Sequence, residues 1–452
     1  MNFTREYPVD RSASADGLDI GAIAIFFIGV SSTVYVKIVE FTYISMMAVH
    51  LVPLGILALV VAHSPLFGMP TDMRRYLLYP SLLATYMVVR HSVDGLGYGF
   101  WFGLRSVVNT LIFALSLYLM SHNRSRHKYL LAGLVTGVLV SLAFAWLNIH
   151  VADHRVRLPQ GRWLGLLPDA NRFAGVLGLA TIVCIGASLR SKAMPMKCIY
   201  VGVSVLCCAG VIMTGSRGGV ASLAVAVFAI SVARAARPTD LYRALGIGLL
   251  GIVVFWVSTK AIPEAFPSRV MDLAHVDEYD ETYASSRRYY SIRMTWQFFL
   301  HNPFVGYGYE ADRFENMSGS GETSPHNTYM QLLATSGLVG FLLYMPLPVG
   351  IGWRLLVASR GTRRGGRDPV AVDPLLVFGL FVALGAHGVV ESLAQSTHAW
   401  LIFALGCSVD LWGRRSLSCG TNAGQPGNAG TAVSSFSTKH RLGGPSEKAR
   451  LP

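Results

Sequence analysis

The sequence predicts an all-α polytopic membrane protein with about twelve transmembrane helices. Three observations lead to this fold class. Of the 452 residues, 52% are hydrophobic and 14% are charged, whereas soluble domains carry about 25% charged residues. Apolar runs of about 20 residues, long enough to cross a bilayer as a helix, fill most of the chain. Basic residues collect in alternate connections between these runs, as the positive-inside rule expects.

The predicted spans divide the chain into three parts. We expect 1–16 to be a polar cytoplasmic N-terminus, 17–413 a polytopic membrane domain, and 414–452 a disordered cytoplasmic tail rich in small polar residues. The candidate spans are 17–36, 41–63, 76–92, 98–120, 129–150, 171–189, 197–213, 218–235, 241–260, 327–352, 373–391 and 396–413. One large periplasmic loop, 261–326, then separates helices nine and ten.

Charge and cysteine content exclude several other classes of protein. The net charge is +13, but no basic stripe lies on a soluble domain, so no nucleic-acid partner is predicted. The six cysteines lack the spacing of zinc ligands and fit small core residues. The acidic stretch 277–281 fits a solvated loop better than a cation site. We therefore predict no metal and no cofactor.

Arginines break the charge rule on the outer side of the predicted membrane domain. They lie in the loop 151–170 and just after it, in the turn 214–217, and in the large loop; they are Arg155, Arg157, Arg162, Arg172, Arg217, Arg269, Arg287, Arg288, Arg293 and Arg313. Long loops can escape the rule, so one interpretation is that these arginines bind no ligand. Arginine also pairs bidentately with phosphate, which indicates a polyanionic ligand at the outer face.

The large loop contains a predicted amphipathic helix from about Ser285 to His301. It could lie in the membrane interface, with Trp296, Phe298 and Phe299 facing lipid. Pro303 ends it, and Gly306 and Gly308 then form a tight turn where backbone can approach a ligand.

Three short segments hold polar side chains where apolar runs begin. His326 stands near a helix start and is either a general base or an interfacial histidine. Arg217, in the TGSRGG segment 214–219, is either part of a structural ion pair or functional. In the segment 167–172, Asp169 or Asn171 is a helix cap, or Asn171 and Arg172 belong to a ligand site.

Four segments together resemble the O-antigen ligase and polymerase superfamily of bacterial undecaprenyl-diphosphate-glycan transferases. They are HNTYMQLLA at 326–334 followed by SGLVG at 336–340, TGSRGG at 214–219, PDANRFAG at 168–175, and Arg288 followed by NPFVGYG at 302–308. These landmarks run from about residue 165 to 345 in the family's order.

The resemblance implies transfer of a glycan from undecaprenyl diphosphate to a sugar hydroxyl, at the periplasmic face of the inner membrane. The reaction would be inverting and independent of metal. His326 would be the general base, and Arg217 and Arg288 would bind the diphosphate. Further substrate-binding candidates are Asn171, Arg172, Arg287, Arg293, Asn327, Gly306 and Gly308. The implied partners are the lipid-linked donor, a glycan or lipid A core acceptor, the bilayer and polysaccharide-assembly proteins.

Several activities share this donor chemistry and stay open. A polymerase joins repeat units of O-antigen or exopolysaccharide, a ligase moves O-antigen to lipid A core, and a protein O-oligosaccharyltransferase modifies a protein. From another class, a transporter of polysaccharide or lipid-linked glycan would place ionisable residues near helix midpoints. The predicted spans are almost free of such residues, and their polar groups concentrate at the outer face.

Overall fold

The structure, a computed structural model, describes most of the membrane domain. The described residues are 19–34, 37–41, 44–47, 71–93, 98–150, 155–157, 162–235, 237–240, 242, 245–246, 248–249, 281–308, 326–361, 372–393 and 396–423. The helices whose two ends lie in these residues are α1 (Ile20–Ser31), α2 (Thr71–Ser92), α3 (Tyr98–His122), α4 (Arg126–Leu147), α5 (Ala170–Arg190), α6 (Met194–Met213), α7 (Arg217–Arg234), α8 (Glu281–His301), α9 (Thr328–Tyr344), α10 (Pro346–Gly361), α11 (Pro374–Gly388) and α12 (Thr397–Ala423).

The predicted helical architecture is confirmed. Six helical stretches in the described part of the chain are long and apolar enough to cross a bilayer. They are Gly103–His122, Arg126–Leu147, Ala170–Arg190, Met194–Met213, Arg217–Arg234 and Thr328–Arg360. The apolar helices α1 and α11 are shorter. The count of twelve stays a prediction, since 48–63 and 250–260, from the second and ninth predicted spans, lie outside the described residues.

A short hairpin departs from the predicted all-helical fold. Strands β1 (Lys37–Phe41) and β2 (Ile44–Met47) pair antiparallel, so the second predicted span does not begin as a helix at residue 41. β1 has the sequence KIVEF, whose β-branched and aromatic residues favour a strand, while its two charged residues disfavour a membrane helix.

The last helix also extends beyond its predicted end. Residues 414–423 were expected to open a disordered tail, but they continue α12 to Ala423. The compact unit of the chain ends at Gly413, and 424–452 lie outside the described residues.

The centre of the bundle is formed by α5, α7 and α11, which pack against one another. Phe173 and Leu177 of α5 are fully buried there. Small residues allow the close approach: a Cβ on Gly219 of α7 would overlap Ala174 of α5. These contacts bring the N-termini of α5 and α7 and the C-terminus of α11 to the same end of the bundle. We call this the outer end, following the loop charges.

Helix α9 begins at the outer end of the bundle, and α10 follows it alongside α12. The Tyr329 hydroxyl donates to the Gly385 carbonyl near the end of α11, at 2.9 Å. At the other end of α9, the Tyr344 ring packs on Trp400 in the first turns of α12, with centroids 6.4 Å apart. Arg354 of α10 pairs with Asp410, well along α12, at 3.2 Å. The predicted span 327–352 therefore contains α9, which is interrupted at Gly337, and the first part of α10, and helical hydrogen bonds of Met345 continue from α9 into α10.

Candidate functional site

The N-terminus of α5 is fixed by Asp169. Its carboxylate accepts hydrogen bonds from the backbone N–H groups of Asn171, at 2.6 Å, and Arg172, at 3.3 Å. Asp169 is thus the helix cap, one of the two interpretations left open by the sequence. Capping also fixes the first turn of α5, which carries Arg172 toward the end of α11.

The TGSRGG segment forms the tight connection from α6 to α7. Ser216 caps α7 by accepting a hydrogen bond from the Gly219 N–H at 3.1 Å. Gly218 packs directly on Val390, and any Cβ there would overlap it. Arg217 is the first residue of α7 and is exposed beside this contact. The segment therefore brings Arg217 next to the turn that follows α11.

That turn carries Glu391, which lies at the centre of the candidate site. Its carboxylate is only 2% exposed and lies between two basic side chains. Arg172 Nε is 3.3 Å from Oε1, and His326 Nδ1 is 3.5 Å from Oε2. Arg172 and His326 are 28% and 30% exposed, so each has one side toward the outer surface. A buried acid thus joins two residues predicted separately from the sequence.

The start of α9 is fastened to the same turn by three consecutive residues. His326 adopts a left-handed backbone conformation with φ 46° immediately before the helix. The Asn327 side chain caps α9 by accepting from the N–H groups of residues 329 and 330, and it donates to the Val389 carbonyl at 2.9 Å. The Thr328 hydroxyl donates to the Glu391 carbonyl at 2.7 Å. His326 is therefore held in place by the side chains of the next two residues as well as by its own ring.

Electrostatics keep Glu391 ionised. Burial by itself raises the pKa of this carboxyl, but the close contact with His326 and the positive charge of Arg172 outweigh it. His387 adds a smaller effect of the same sign, and the pKa falls from 4.5 to about 2. A carboxylate facing Nδ1 favours a proton on that nitrogen, which leaves Nε2 of His326 to accept one. The arrangement suits proton abstraction from a bound hydroxyl.

Gly306 and Gly308 lie at a different place, where α9 is interrupted. Gly337 has φ 65° and ψ −168°, a conformation that breaks the helical hydrogen-bonding pattern. Residues 303–308 fill the break with backbone hydrogen bonds. These are Tyr307 N–H to Ala334 O at 2.7 Å, Gly308 N–H to Thr335 O at 3.0 Å, Leu338 N–H to Pro303 O at 2.8 Å and Val339 N–H to Phe304 O at 3.1 Å. The close approach predicted for these glycines is toward α9, and a ligand contact stays a prediction.

Helix α2 closes the break from the other side. The Arg90 guanidinium donates to the carbonyls of Val305, at 3.1 Å, and Gly306, at 2.9 Å. The Tyr86 hydroxyl is 2.8 Å from the Ser336 carbonyl and donates to it. These contacts satisfy carbonyls that the interrupted helix and the turn leave without helical partners.

The predicted helix in the large loop is confirmed as α8, and Pro303 follows its end. Arg293 is exposed on it; Arg287 and Arg288 lie in its first turns, and their side chains are outside the described residues. The expectation that Phe298 faces lipid is wrong. Its ring is buried and packs on Tyr307, with centroids 5.0 Å apart. The docking of residues 303–308 onto α9 explains this, because it places Tyr307 under α8.

Two other outer arginines have structural partners. Arg157 donates to the carbonyls of Ala145 and Trp146 at the end of α4, both at 2.6 Å. Arg162 donates to the Thr214 carbonyl at 2.8 Å. Part of the arginine excess therefore caps helix ends and turns, whereas Arg172 joins the acid of the candidate site.

Sequence reasoning missed Glu391, Arg90 and Tyr86. Glu391 was included in the apolar run 373–391, although an ionisable residue at the end of such a run is itself a functional signal. Arg90 lies near the end of the predicted span 76–92 and belongs to none of the recognised motifs. Among the described residues, no group of three or more His, Cys, Asp or Glu is arranged to hold a metal ion.

Comparison with known proteins supports the resemblance found in the sequence. A search of curated proteins finds no match to the chain. The family model described as O-Antigen ligase matches residues 202–345. The matched region begins within α6 and contains Arg217, α8, His326 and all of α9, while Arg172 and Glu391 lie outside it. The match covers less than half of the chain, and it supports the resemblance of the chain to the O-antigen ligase and polymerase superfamily.

Proposed function

We propose that the protein transfers a glycan from undecaprenyl diphosphate to a sugar hydroxyl at the periplasmic face of the bacterial inner membrane. The match to the O-Antigen ligase model supports an enzyme that transfers glycans in O-antigen assembly. The observation that carries the proposal is the contact of His326 with buried, ionised Glu391 at the outer end of the bundle. The transfer would extend repeat units, or ligate O-antigen to lipid A core.

In the proposed reaction, His326 acts on the acceptor. Its Nε2 takes the proton of the acceptor hydroxyl as the hydroxyl oxygen attacks the anomeric carbon of the donor sugar. Glu391 holds the ring through Nδ1 and stabilises the imidazolium that forms, so it is a positioning residue. The bond between the anomeric carbon and the diphosphate oxygen breaks on the opposite face, which inverts the configuration.

The leaving group in this scheme is undecaprenyl diphosphate, whose charge grows as the bond breaks. Arginine donors aimed at that charge lower the barrier. Arg217, exposed at the start of α7, is the described arginine that best fits this role. Arg288, whose side chain is outside the described residues, is proposed from the resemblance alone. Arg172 bonds Glu391, so its first role is to keep that carboxylate ionised.

The test is the glycan profile of cells that lack this protein and carry a variant in its place. Lipopolysaccharide and secreted polysaccharide would be separated on gels beside the extracted lipid-linked glycans. We expect His326→Ala to abolish long chains at wild-type protein level, with a rate loss of about 10²- to 10⁴-fold for a general base. His301→Ala is the matched control, because His301 is an exposed histidine on α8 with no contact to Glu391.

The pattern of the defect separates the alternatives. Single repeat units in place of long chains indicate a polymerase. Full-length chains on undecaprenyl diphosphate, with bare core, indicate a ligase. A normal profile with His326→Ala would overturn the general-base role, and a normal profile in the deletion strain would redirect the search to glycosylated proteins and then to transport.

A further inference from the structure

Helix α8 has three distinct faces in its last three turns. The first face is buried against the protein and consists of Ser291, Thr295 and Phe298. The second is exposed and apolar, with Ile292, Trp296 and Leu300 four residues apart. The third is exposed and polar, with Arg293, Gln297 and His301 at the same spacing. Because successive residues turn by about 100° around a helix, the apolar face lies between the buried face and the polar face.

The apolar face continues beyond the helix. Phe304, four residues after Leu300, is the most exposed member, at 68%, and the three members on the helix are between 40% and 57% exposed. A monomeric soluble surface keeps few contiguous apolar patches of this kind. Trp296 also packs on Phe299, with centroids 5.1 Å apart. We refer to Ile292, Trp296, Leu300 and Phe304 as the apolar stripe.

The stripe joins the apolar surface of a membrane-spanning stretch. Phe304 accepts a hydrogen bond from the N–H of Val339, and Pro303 from that of Leu338. Leu338, Val339 and Leu342 of α9 are themselves exposed. They belong to Thr328–Arg360, one of the six stretches with the length and composition of a span. An apolar surface that adjoins such a candidate span is suited to contact with lipid.

The level of the stripe in the membrane follows from α2. Arg90 bonds the carbonyls of residues 305 and 306, and it lies two residues before the end of α2 at Ser92. The residues that end α8 are therefore at the height where α2 leaves the bundle, which is the outer boundary of the membrane domain. A helix at that height with one apolar face and one polar face is arranged like an interfacial helix.

We propose that α8 lies in the outer-leaflet interface and that bilayer lipid covers its apolar stripe. The stripe enters the acyl boundary by about 5–10 Å, as interfacial helices do. Arg293, Gln297 and His301 then face the aqueous side. The lipid contact stands independently of the glycan-transfer proposal. Only the role of this contact in donor binding rests on that proposal: a helix at this depth holds Arg293 at the height of a lipid-linked diphosphate.

The test compares neighbouring positions on the two exposed faces. Single cysteines at 292, 296 and 300, or at 293, 297 and 301, are introduced where the native cysteines have been replaced, and each is spin-labelled. The full-length protein is reconstituted in nanodiscs of phosphatidylethanolamine and phosphatidylglycerol. Collision rates with oxygen, which concentrates in the bilayer, and with a water-soluble nickel chelate are then measured for each label.

We expect oxygen to dominate at the three stripe positions and nickel at the three polar positions, so that adjacent residues alternate with the helical period. Trp296→Cys and Gln297→Cys form the closest matched pair. Equal nickel access on both faces would overturn the proposal, and so would protection of both faces from nickel and oxygen alike, since that pattern indicates protein contact. Because no activity is measured, a failed glycan-transfer proposal would leave this result unaffected.

A functional arm uses graded substitutions in the stripe. Trp296→Leu keeps an apolar side chain and is expected to support wild-type chain length, whereas Trp296→Asp is expected to lift the helix from the interface and reduce long chains. Equal glycan profiles for the two variants would overturn the link to donor binding and leave the collision data to decide the lipid contact.

Discussion

The first half of α9, residues 328–336, is held at its two ends by different kinds of interaction. At the His326 end, side chains make the contacts: Asn327 caps the helix, Thr328 bonds the turn after α11, and Glu391 faces the imidazole. At the Gly337 end, backbone N–H and carbonyl groups of residues 303–308 complete the interrupted helix.

This difference predicts different responses to mutation. Backbone hydrogen bonds do not depend on side-chain identity, so the break is sensitive mainly where a Cβ would collide or where a carbonyl loses its donor. The His326 end depends on charge and side-chain geometry, so substitutions there act on chemistry as well as on stability. The four variants below separate the two kinds of contact.

Gly337→Ala is expected to have the largest effect on stability. Its φ of 65° with ψ −168° is a conformation used almost only by glycine, and a Cβ would overlap the Phe304 carbonyl. Backbone strain and overpacking together cost about 2–6 kcal/mol. Thermal unfolding in nanodiscs measures the loss. Gly350→Ala on α10 is the control, because a Cβ there meets nothing within 4 Å. Equal melting temperatures for the two variants would contradict the role of the break.

Glu391→Gln is expected to lower stability by about 3 kcal/mol at neutral pH, because a pKa lowered from 4.5 to about 2 corresponds to that energy. A depressed pKa stabilises the fold above the unfolded value. This contribution is lost as the pH falls from about 5 toward 2. The stability gap between wild type and variant should therefore narrow from pH 7 to pH 3, as followed by thermal unfolding.

The activity control for Glu391→Gln is Asp410→Asn. Asp410 also pairs with an arginine, Arg354, but well along α12 and away from His326. Both variants should lose stability, while only Glu391→Gln should shorten glycan chains at matched protein level. Loss of chains in both, or in neither, would argue against Glu391 as the residue that positions His326.

Arg90→Lys tests the backbone end with a smaller change. The lysine keeps the charge but cannot bond two carbonyls with one planar fork, so about 1–2 kcal/mol should be lost. Tyr86→Phe, which removes the hydroxyl donor to the Ser336 carbonyl, should cost about 1 kcal/mol. Chemical denaturation can rank the two. A lysine variant as stable as wild type would mean that the fork contributes little to the break.

Asn327→Ala should have an effect on stability as small as that of Tyr86→Phe, about 1 kcal/mol for a lost helix cap. Asp373→Ala removes the cap of α11 and provides a matched loss. Melting temperatures should fall alike. Only Asn327→Ala should reduce chain length, since Asn327 also ties the residue after His326 to the Val389 carbonyl. Equal glycan profiles for Asn327→Ala and Asp373→Ala would mean that Asn327 serves only as a helix cap.

Local signals in the sequence predicted much of this architecture. Apolar runs located most of the described helices, and the segment ending at Pro303 was recognised as the α8 helix. Helix starts at Asp169 and near His326 followed from capping residues. These features depend on neighbours within a few residues, so one sequence is enough to find them.

The features that were missed depend on residues far apart in the chain. Glu391 pairs with Arg172, which lies 219 positions earlier in the chain, and no local sequence pattern predicts that pairing. The break at Gly337 interrupts a run that reads as one apolar span. The hydrogen bonds that the helix loses at this break are replaced by bonds to residues 303–308, which lie about 30 positions earlier in the chain. Phe298 was assigned to the wrong face because periodicity identifies an apolar face without saying whether lipid or protein covers it.

The left-handed backbone of His326 has an evolutionary consequence. A residue with a Cβ at φ 46° stores strain that glycine would release and asparagine would tolerate better. Selection for thermal robustness alone would thus drive this position away from histidine. Keeping histidine there requires continuing selection for what its imidazole does, so stabilised variants chosen without an activity screen are expected to lose it early.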